Sequence, residues 1–178
     1  MTVRKGGDGD NIAGIARFMV LLSWAAGLAF AAYLFQHLLD ERFNPNRDLS
    51  LEVTPGGPRE VVLRRNAQGH YVADGAIDGH RVTFLVDTGA TTVAMPEALA
   101  RRWGLRLQPG GLSETANGTV QVWRTTLREV RLGAIRLHDV PAVVMPSMGP
   151  RSPVLLGMSF LQRLELIQRD GRLLLRQR

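Results

Sequence analysis

Hydrophobic positions along the 178-residue chain fall into two textures. From Phe18 to Phe35 they are almost continuous, FMVLLSWAAGLAFAAYLF, and with Gln36, His37, Leu38 and Leu39 the run approaches the ~20 residues that a helix needs to cross a bilayer. A helix without charge around its whole circumference has no polar face for water, so lipid suits it better than the surface of a soluble core. From Arg59 onward the apolar stretches are short and cut by turn residues: REVVLRR, NAQG, HYVADGAI, then Asp78-Gly79, then HRVTFLV. Asp-Gly between two extended stretches predicts a type I′ hairpin, because that turn needs positive φ at both central positions. Asp74-Gly75 also reads as a turn.

PEALARRWG predicts one helix in this β pattern, with Pro96 suited to the first turn and Gly104 to the stop. Further strands follow in TVQVWRTTLREVRL, AIRLHDVPAVVM and VLLG. SFLQRL predicts a short helical stretch, and LELIQ and RLLLR a closing hairpin turned at Asp170-Gly171. Between the apolar run and the β pattern, residues 40–58 read DERFNPNRDLSLEVTPGGP, polar and without period, which predicts a flexible linker. The expected organisation is a cytoplasmic segment over 1–17, a transmembrane signal-anchor helix over 18–39, the linker over 40–58 and a mostly β domain over 59–178.

Composition narrows the chemistry. The formal net charge is +6, and Lys5 is the only lysine. The arginines are dispersed, which predicts a solvated surface and no nucleic-acid partner. Cysteine is absent, excluding disulfides, thiol nucleophiles and cysteine-based zinc sites. His37, His70, His80 and His138 stand far apart, so neither a metal site nor a cofactor is expected. Arg4, Lys5 and Arg17 precede the apolar run while Asp40 and Glu41 follow it. The positive-inside bias then leaves the N-terminus in the cytoplasm and the β domain on the periplasmic or extracytoplasmic side of the inner membrane. Ala29-Phe30-Ala31 keeps a cleavable signal open as the alternative, although such signals have shorter apolar cores.

The candidate chemistry lies in FLVDTGATTVAMP, positions 84–96. Val82, Phe84 and Val86 face one way along the strand, and Thr83, Leu85 and Asp87 the other. Both faces are apolar near the end, as in a strand buried on each side, and Thr88-Gly89 then turns the chain. A carboxylate lifted onto such a turn sits in a restricted setting, with Gly89 permitting close backbone approach and Thr88 supplying a hydroxyl.

Leu85-Val86-Asp87-Thr88-Gly89-Ala90 resembles the active-site signature of aspartic proteases of the retroviral, retropepsin-like branch. Val154-Leu155-Leu156-Gly157 and the segment Thr115-Ala116-Asn117-Gly118-Thr119-Val120 lie in family-like order behind it, and the resemblance covers about residues 59–178. The whole pattern is most similar to bacterial membrane-anchored members with one signal-anchor helix. The resemblance implies a closed β-barrel of the acid-protease fold with one or two short helices. It makes Asp87 the catalytic residue, with Thr88, Gly89 and Ala90 in the active-site loop. It assigns Ala116, Asn117 and Gly118 to a flap over substrate, and Leu155, Leu156 and Gly157 to support of the loop. Trp123, on the flap's far arm, reads as packing.

Pepsin-like enzymes carry two such motifs, and this chain carries one. The chemistry needs two carboxyl groups sharing a proton, so the second Asp87 comes from another copy in a C₂ homodimer. The resemblance further implies that Thr88 interlocks across the axis and that RLLLR joins an interfacial sheet. The implied activity is that of an endopeptidase acting on extended peptide or protein segments. The alternative is a catalytically silent dimeric binding module on the same fold.

Overall fold

The computed structural model describes residues 8–49, 58–115 and 118–177. It divides into two units, Met1–Glu41 and Arg42–Arg178. The first is helical: α1 runs from Asp8 to Phe43, and its apolar stretch Arg17–Leu38 is exposed along its length.

Among the described residues, the second unit is built from ten strands and two short helices. They are, in order, β1 (Glu60–Arg64), β2 (Val72–Ile77), β3 (His80–Val86), β4 (Val93–Pro96), α2 (Glu97–Arg102), β5 (Gln108–Thr115), β6 (Gly118–Leu132), β7 (Ile135–Met145), β8 (Val154–Leu156), α3 (Met158–Leu161), β9 (Leu164–Arg169) and β10 (Arg172–Gln177). Hydrogen-bonded neighbours run β2-β3-β8-β4-β7-β6-β5, and β6 also pairs with β2 through Ala76↔Arg131 and Ile77↔Val130. That last pairing closes β2, β3, β8, β4, β7 and β6 into a six-stranded barrel, which leaves no free edge among them. A separate three-stranded sheet, β1-β10-β9, completes the unit.

The barrel closes around fully buried Phe84, Ile77, Leu127, Leu132, Ile135 and Leu156, with Phe160 of α3 and Leu63 and Leu175 of the smaller sheet in the same core. Period-2 alternation produces this on either side of a phase shift at His138-Asp139: in β7 Ile135 and Leu137, then Val140, Ala142 and Val144, are buried between exposed or half-buried neighbours. Both Asp-Gly hairpins form as predicted, with φ of 48° and 86° at Asp78 and Gly79 and of 50° and 72° at Asp170 and Gly171. The predicted helix is α2, with Pro96 one position ahead of its first turn and Gly104 beyond its end at φ 64°.

Asp74-Gly75 differs from the expectation of a turn. Both residues lie inside β2, where a Cβ on Gly75 would stand 2.3 Å from the Arg131 carbonyl and 2.7 Å from the Phe84 ring. The glycine lets β2 approach β6 closely enough to close the barrel. RLLLR departs from expectation in another way. As β10 it pairs with β1 on one side and β9 on the other, so it has no free edge for a partner chain.

The segment read as a linker also behaves differently over the part that is described. Residues 50–57 lie outside the described residues, but Asn44 and Asn46 are buried in the β unit. Asn46 Nδ2 donates to the Arg64 carbonyl at 2.9 Å and the Val72 carbonyl at 2.7 Å, while its Oδ1 accepts from the Arg64 N–H at 2.7 Å. Asn44 Nδ2 donates to Asp74 Oδ1 at 2.7 Å, the same oxygen that accepts from the Thr83 hydroxyl. Asn66 Nδ2 donates to the Phe43 carbonyl at 3.0 Å. Asparagine reads as loop in sequence, yet its amide satisfies a donor and an acceptor at once, which lets it replace a missing strand neighbour. Asn46→Ala orphans three main-chain groups and is expected to destabilise the chain by about 2–4 kcal/mol. Denaturant unfolding measures it, and a loss under about 1 kcal/mol would show that the latch carries little of the fold.

Candidate active site

Asp87 stands one residue beyond β3, where the barrel stops covering the strand, and is half-buried. Its position follows from its neighbours. β8 lies parallel to β3 in the register Phe84↔Val154, Leu85↔Leu155 and Val86↔Leu156, and the Asp87 N–H donates to the Leu156 carbonyl at 3.2 Å. The chain then turns sharply: the Gly89 N–H donates to Asp87 Oδ1 at 2.9 Å and the Ala90 N–H to the Asp87 carbonyl at 3.3 Å. A charge-assisted bond from a main-chain donor orients one carboxylate oxygen. No other side chain is bonded to that carboxylate among the described residues.

The far side of the loop is clamped by the start of α3. The Met158 N–H donates to the Ala90 carbonyl at 2.8 Å and the Ser159 N–H to the Thr91 carbonyl at 3.0 Å. Gly157 makes this approach possible, since a Cβ there would lie 2.2 Å from the Thr92 carbonyl and 2.6 Å from that of Ala90. Ser159 is buried as well. Its hydroxyl donates to the Pro141 carbonyl at 2.8 Å and accepts from the Val93 N–H at 3.0 Å, tying β7 and β4 to the helix. Nothing in SFLQRL marks this serine, because its partners lie 18 and 66 residues away.

Asp87, Gly89 and Ala90 line a broad cleft of about 1680 Å³, together with Leu155 of β8. Ser113 and Glu114, on the β5 arm of the β5/β6 hairpin, form part of another wall. This hairpin pairs continuously from Gln108↔Arg124 to Thr115↔Gly118, with a bulge between Pro109 and Gly111. Gly118 has a φ of 103°, while Ala116 and Asn117 lie outside the described residues. Thr88 is exposed, and its hydroxyl has no bond among the described residues. Leu156 is fully buried in the core and Gly157 is buried, so both act on the loop from behind. Trp123 is half-buried against the core and does not line the cleft.

Two cleft features went unread in the sequence. His80 and Trp103 stack with ring centroids 5.0 Å apart and planes 4° apart, joining the β2–β3 turn to the end of α2. Beside them Asp78 is held by β6: its Oδ1 accepts the Glu129 N–H at 2.8 Å, and Arg128 Nε lies 3.6 Å from its Oδ2. Residues separated this far along the chain carry no joint pattern. No group of three or more His, Asp or Glu side chains suited to a metal ion occurs among the described residues.

The family model described as "gag-polyprotein putative aspartyl protease" matches residues 73–163. An uncharacterised protein in the cobV 5′ region of a Sinorhizobium species is 37% identical over 117 residues, which cover 63% of this chain and 49% of that protein. The uncharacterised protein RP867 of Rickettsia prowazekii (strain Madrid E) is 26% identical over 161 residues, covering 89% of this chain and 66% of that protein. The chain therefore spans about half to two-thirds of the length of these curated relatives. Among solved structures, a retropepsin-like aspartic protease from Rickettsia conorii superposes with a TM-score of 0.58 at 27% identity, over 68% of this chain and 92% of that one.

Gly157→Ala forces the loop carbonyls apart. It is expected to cost about 1–3 kcal/mol in unfolding free energy. It should also displace the Asp87 loop, read as changed amide shifts at 87–92. Unaltered shifts and stability would show that β8 does not set the loop.

Proposed function

Since this chain belongs to the retropepsin-like aspartic protease family, we propose that it is an endopeptidase whose active site is completed by a second copy of itself. The observation that carries the reading is the single Asp87 carboxylate, oriented by the Gly89 N–H and clamped from behind by β8 and α3, at the wall of an open cleft. One such group is half of a catalytic pair. In a C₂ dimer the two Asp87 side chains meet on the axis, where like charges about 3 Å apart cannot both ionise. The pair holds one proton. Its ionised member takes a proton from a bound water, and its protonated member polarises the peptide carbonyl that this water attacks.

In this reading Thr88 is a subunit contact, consistent with its exposure and with a hydroxyl unbonded among the described residues. Ala116, Asn117 and Gly118 form a flap closing over substrate. An extended peptide suits the site, because a β-hairpin wall can bond its main chain while pockets read alternate side chains. The helix Arg17–Leu38 is long and apolar enough to cross a membrane. We read it as the signal anchor, with the N-terminus cytoplasmic and the protease domain on the periplasmic side. Two copies in one membrane have a raised effective concentration, which favours a weak dimer.

Asp87→Asn in the full chain is expected to lower peptide-library cleavage by on the order of 10²–10⁴ with unfolding unchanged, and retained cleavage removes the mechanism. A wild-type chain that binds the peptides and cuts none is instead the silent binding module. When wild type and Asp87→Asn are co-expressed in equal amounts, about a quarter of random dimers carry two intact carboxylates. Activity should fall to that fraction; half the activity would indicate that each chain works alone.

A further inference from the structure

The three-stranded sheet packs one face on the core through Val61, Leu63, Leu164, Leu173 and Leu175, although Leu166 and Gln168 of β9 on that same face are exposed, and it turns the other face to solvent. The solvent face is ordered in rows by the strand register. Glu60, Arg176 and Glu165 form the first, and Arg176 donates to both carboxylates, so this row neutralises itself. Val62, Leu174 and Ile167 form the second, leaving Val62 50% and Ile167 42% exposed. The third is Arg64, Arg172 and Arg169, three guanidinium side chains on adjacent strands, each paired with the next.

Like charges directly opposite across strands oppose sheet formation. Compensation among the described residues is slight. Arg169 Nε lies 3.4 Å from Asp170 Oδ2, with both side chains exposed, and Arg64 Nη2 makes one long bond of 3.4 Å to the Pro45 carbonyl. Arg172 has no partner among the described residues. A cationic row so little compensated among the described residues, beside exposed apolar side chains, suits a partner that is both anionic and apolar just beneath its surface, since arginine lays its stem on apolar groups while its head meets phosphate.

Chain connectivity points to that partner. Arg64 is bonded through its main chain to Asn46 and through its side chain to Pro45, seven residues beyond Leu38 at the end of the apolar run. Five of those steps are helical, at about 1.5 Å each, and the remaining two span at most about 3.6 Å each. Pro45 therefore stays within about 15 Å of the end of the apolar run, in whichever direction the helix leaves the domain. The interfacial zone is about 5–8 Å deep on each side of a bilayer, and charge attraction reaches about one Debye length, ~8 Å, beyond it.

We propose that Arg64, Arg172 and Arg169, with Val62 and Ile167 beside them, form a membrane-docking face that binds the phosphate headgroups of anionic phospholipids and holds the protease domain against the bilayer. This rests on the reading of Arg17–Leu38 as a membrane anchor. Arginines at an anionic surface each favour the docked state by on the order of fivefold.

The absence of cysteine makes a single-label experiment clean. The full chain carrying a fluorophore on Ile167→Cys is reconstituted in vesicles of phosphatidylcholine alone or with phosphatidylglycerol, each doped with a headgroup-level nitroxide quencher. Ala98→Cys on α2 provides the background. Quenching at position 167 is expected in the anionic vesicles only, and should be reversed by high salt and by combined Arg64→Gln, Arg169→Gln and Arg172→Gln. The corresponding three lysine substitutions should keep it. Equal quenching in both vesicles, or quenching indifferent to the glutamine variant, overturns the proposal. So does an RNA or polyphosphate that shields the label where anionic lipid does not, which would reassign the row to a soluble polyanion. Alkaline carbonate extraction of the same vesicles is the separate readout of anchoring: a retained chain without anionic quenching removes only the docking face, whereas a released chain removes the anchor and the proposal with it.

Discussion

The site depends on a main-chain clamp. Between Asp87 and Thr92 the chain has left β3 and not yet entered β4, so its peptide groups have no strand of their own to pair with. β8 and the first residues of α3 supply the partners, at Asp87, Ala90 and Thr91. A buried peptide group without a partner costs more than one well-made bond contributes, so the loop takes the shape in which these groups are met. The carboxylate inherits that shape. Its orientation comes from the backbone that carries it and from the Gly89 N–H, with no side chain among the described residues bonded to it.

The same logic explains where the chain admits no side chain at all. Gly157 lies against two carbonyl oxygens of the loop, and Gly75 lies against β6 and the Phe84 ring at the barrel seam. These glycines mark close approach of backbones, whereas Gly79 and Gly171 serve turns of positive φ. One seam closes the barrel and the other positions the acid. The large hydrophobic side chains between them, Phe84, Leu156 and Phe160, make the two seams parts of a single core, so strain at either one reaches the other.

Chain segments that look like connectors also belong to this framework. Asn44 and Asn46 lie in a stretch of polar composition and Asn66 in the connection between β1 and β2, and each is bonded to the main chain or side chains of the β unit. Local chemistry favours turns for asparagine, but a buried amide with every group met is worth more to the fold than a solvated one. The domain's true edge therefore lies at the end of α1, closer to the apolar run than its composition suggests.

Period and turn chemistry were enough to read most strands, both Asp-Gly hairpins, α2 and the position of Asp87 just beyond a strand, because those signals act over a few residues; that strand was expected to be buried on each side, and only its Phe84 is buried. The chain also states that it has one such acid and an apolar helix ahead of it. What it does not state is anything that depends on residues meeting across long separations: Asp74-Gly75 as strand and not turn, the Ser159 bridge, the His80–Trp103 stack, the asparagine latch and the arginine row. Each of these arises when closure of the barrel or pairing of the small sheet brings distant residues into contact. A local pattern records which conformation a segment prefers, and only the folded register decides which other segment it has to satisfy.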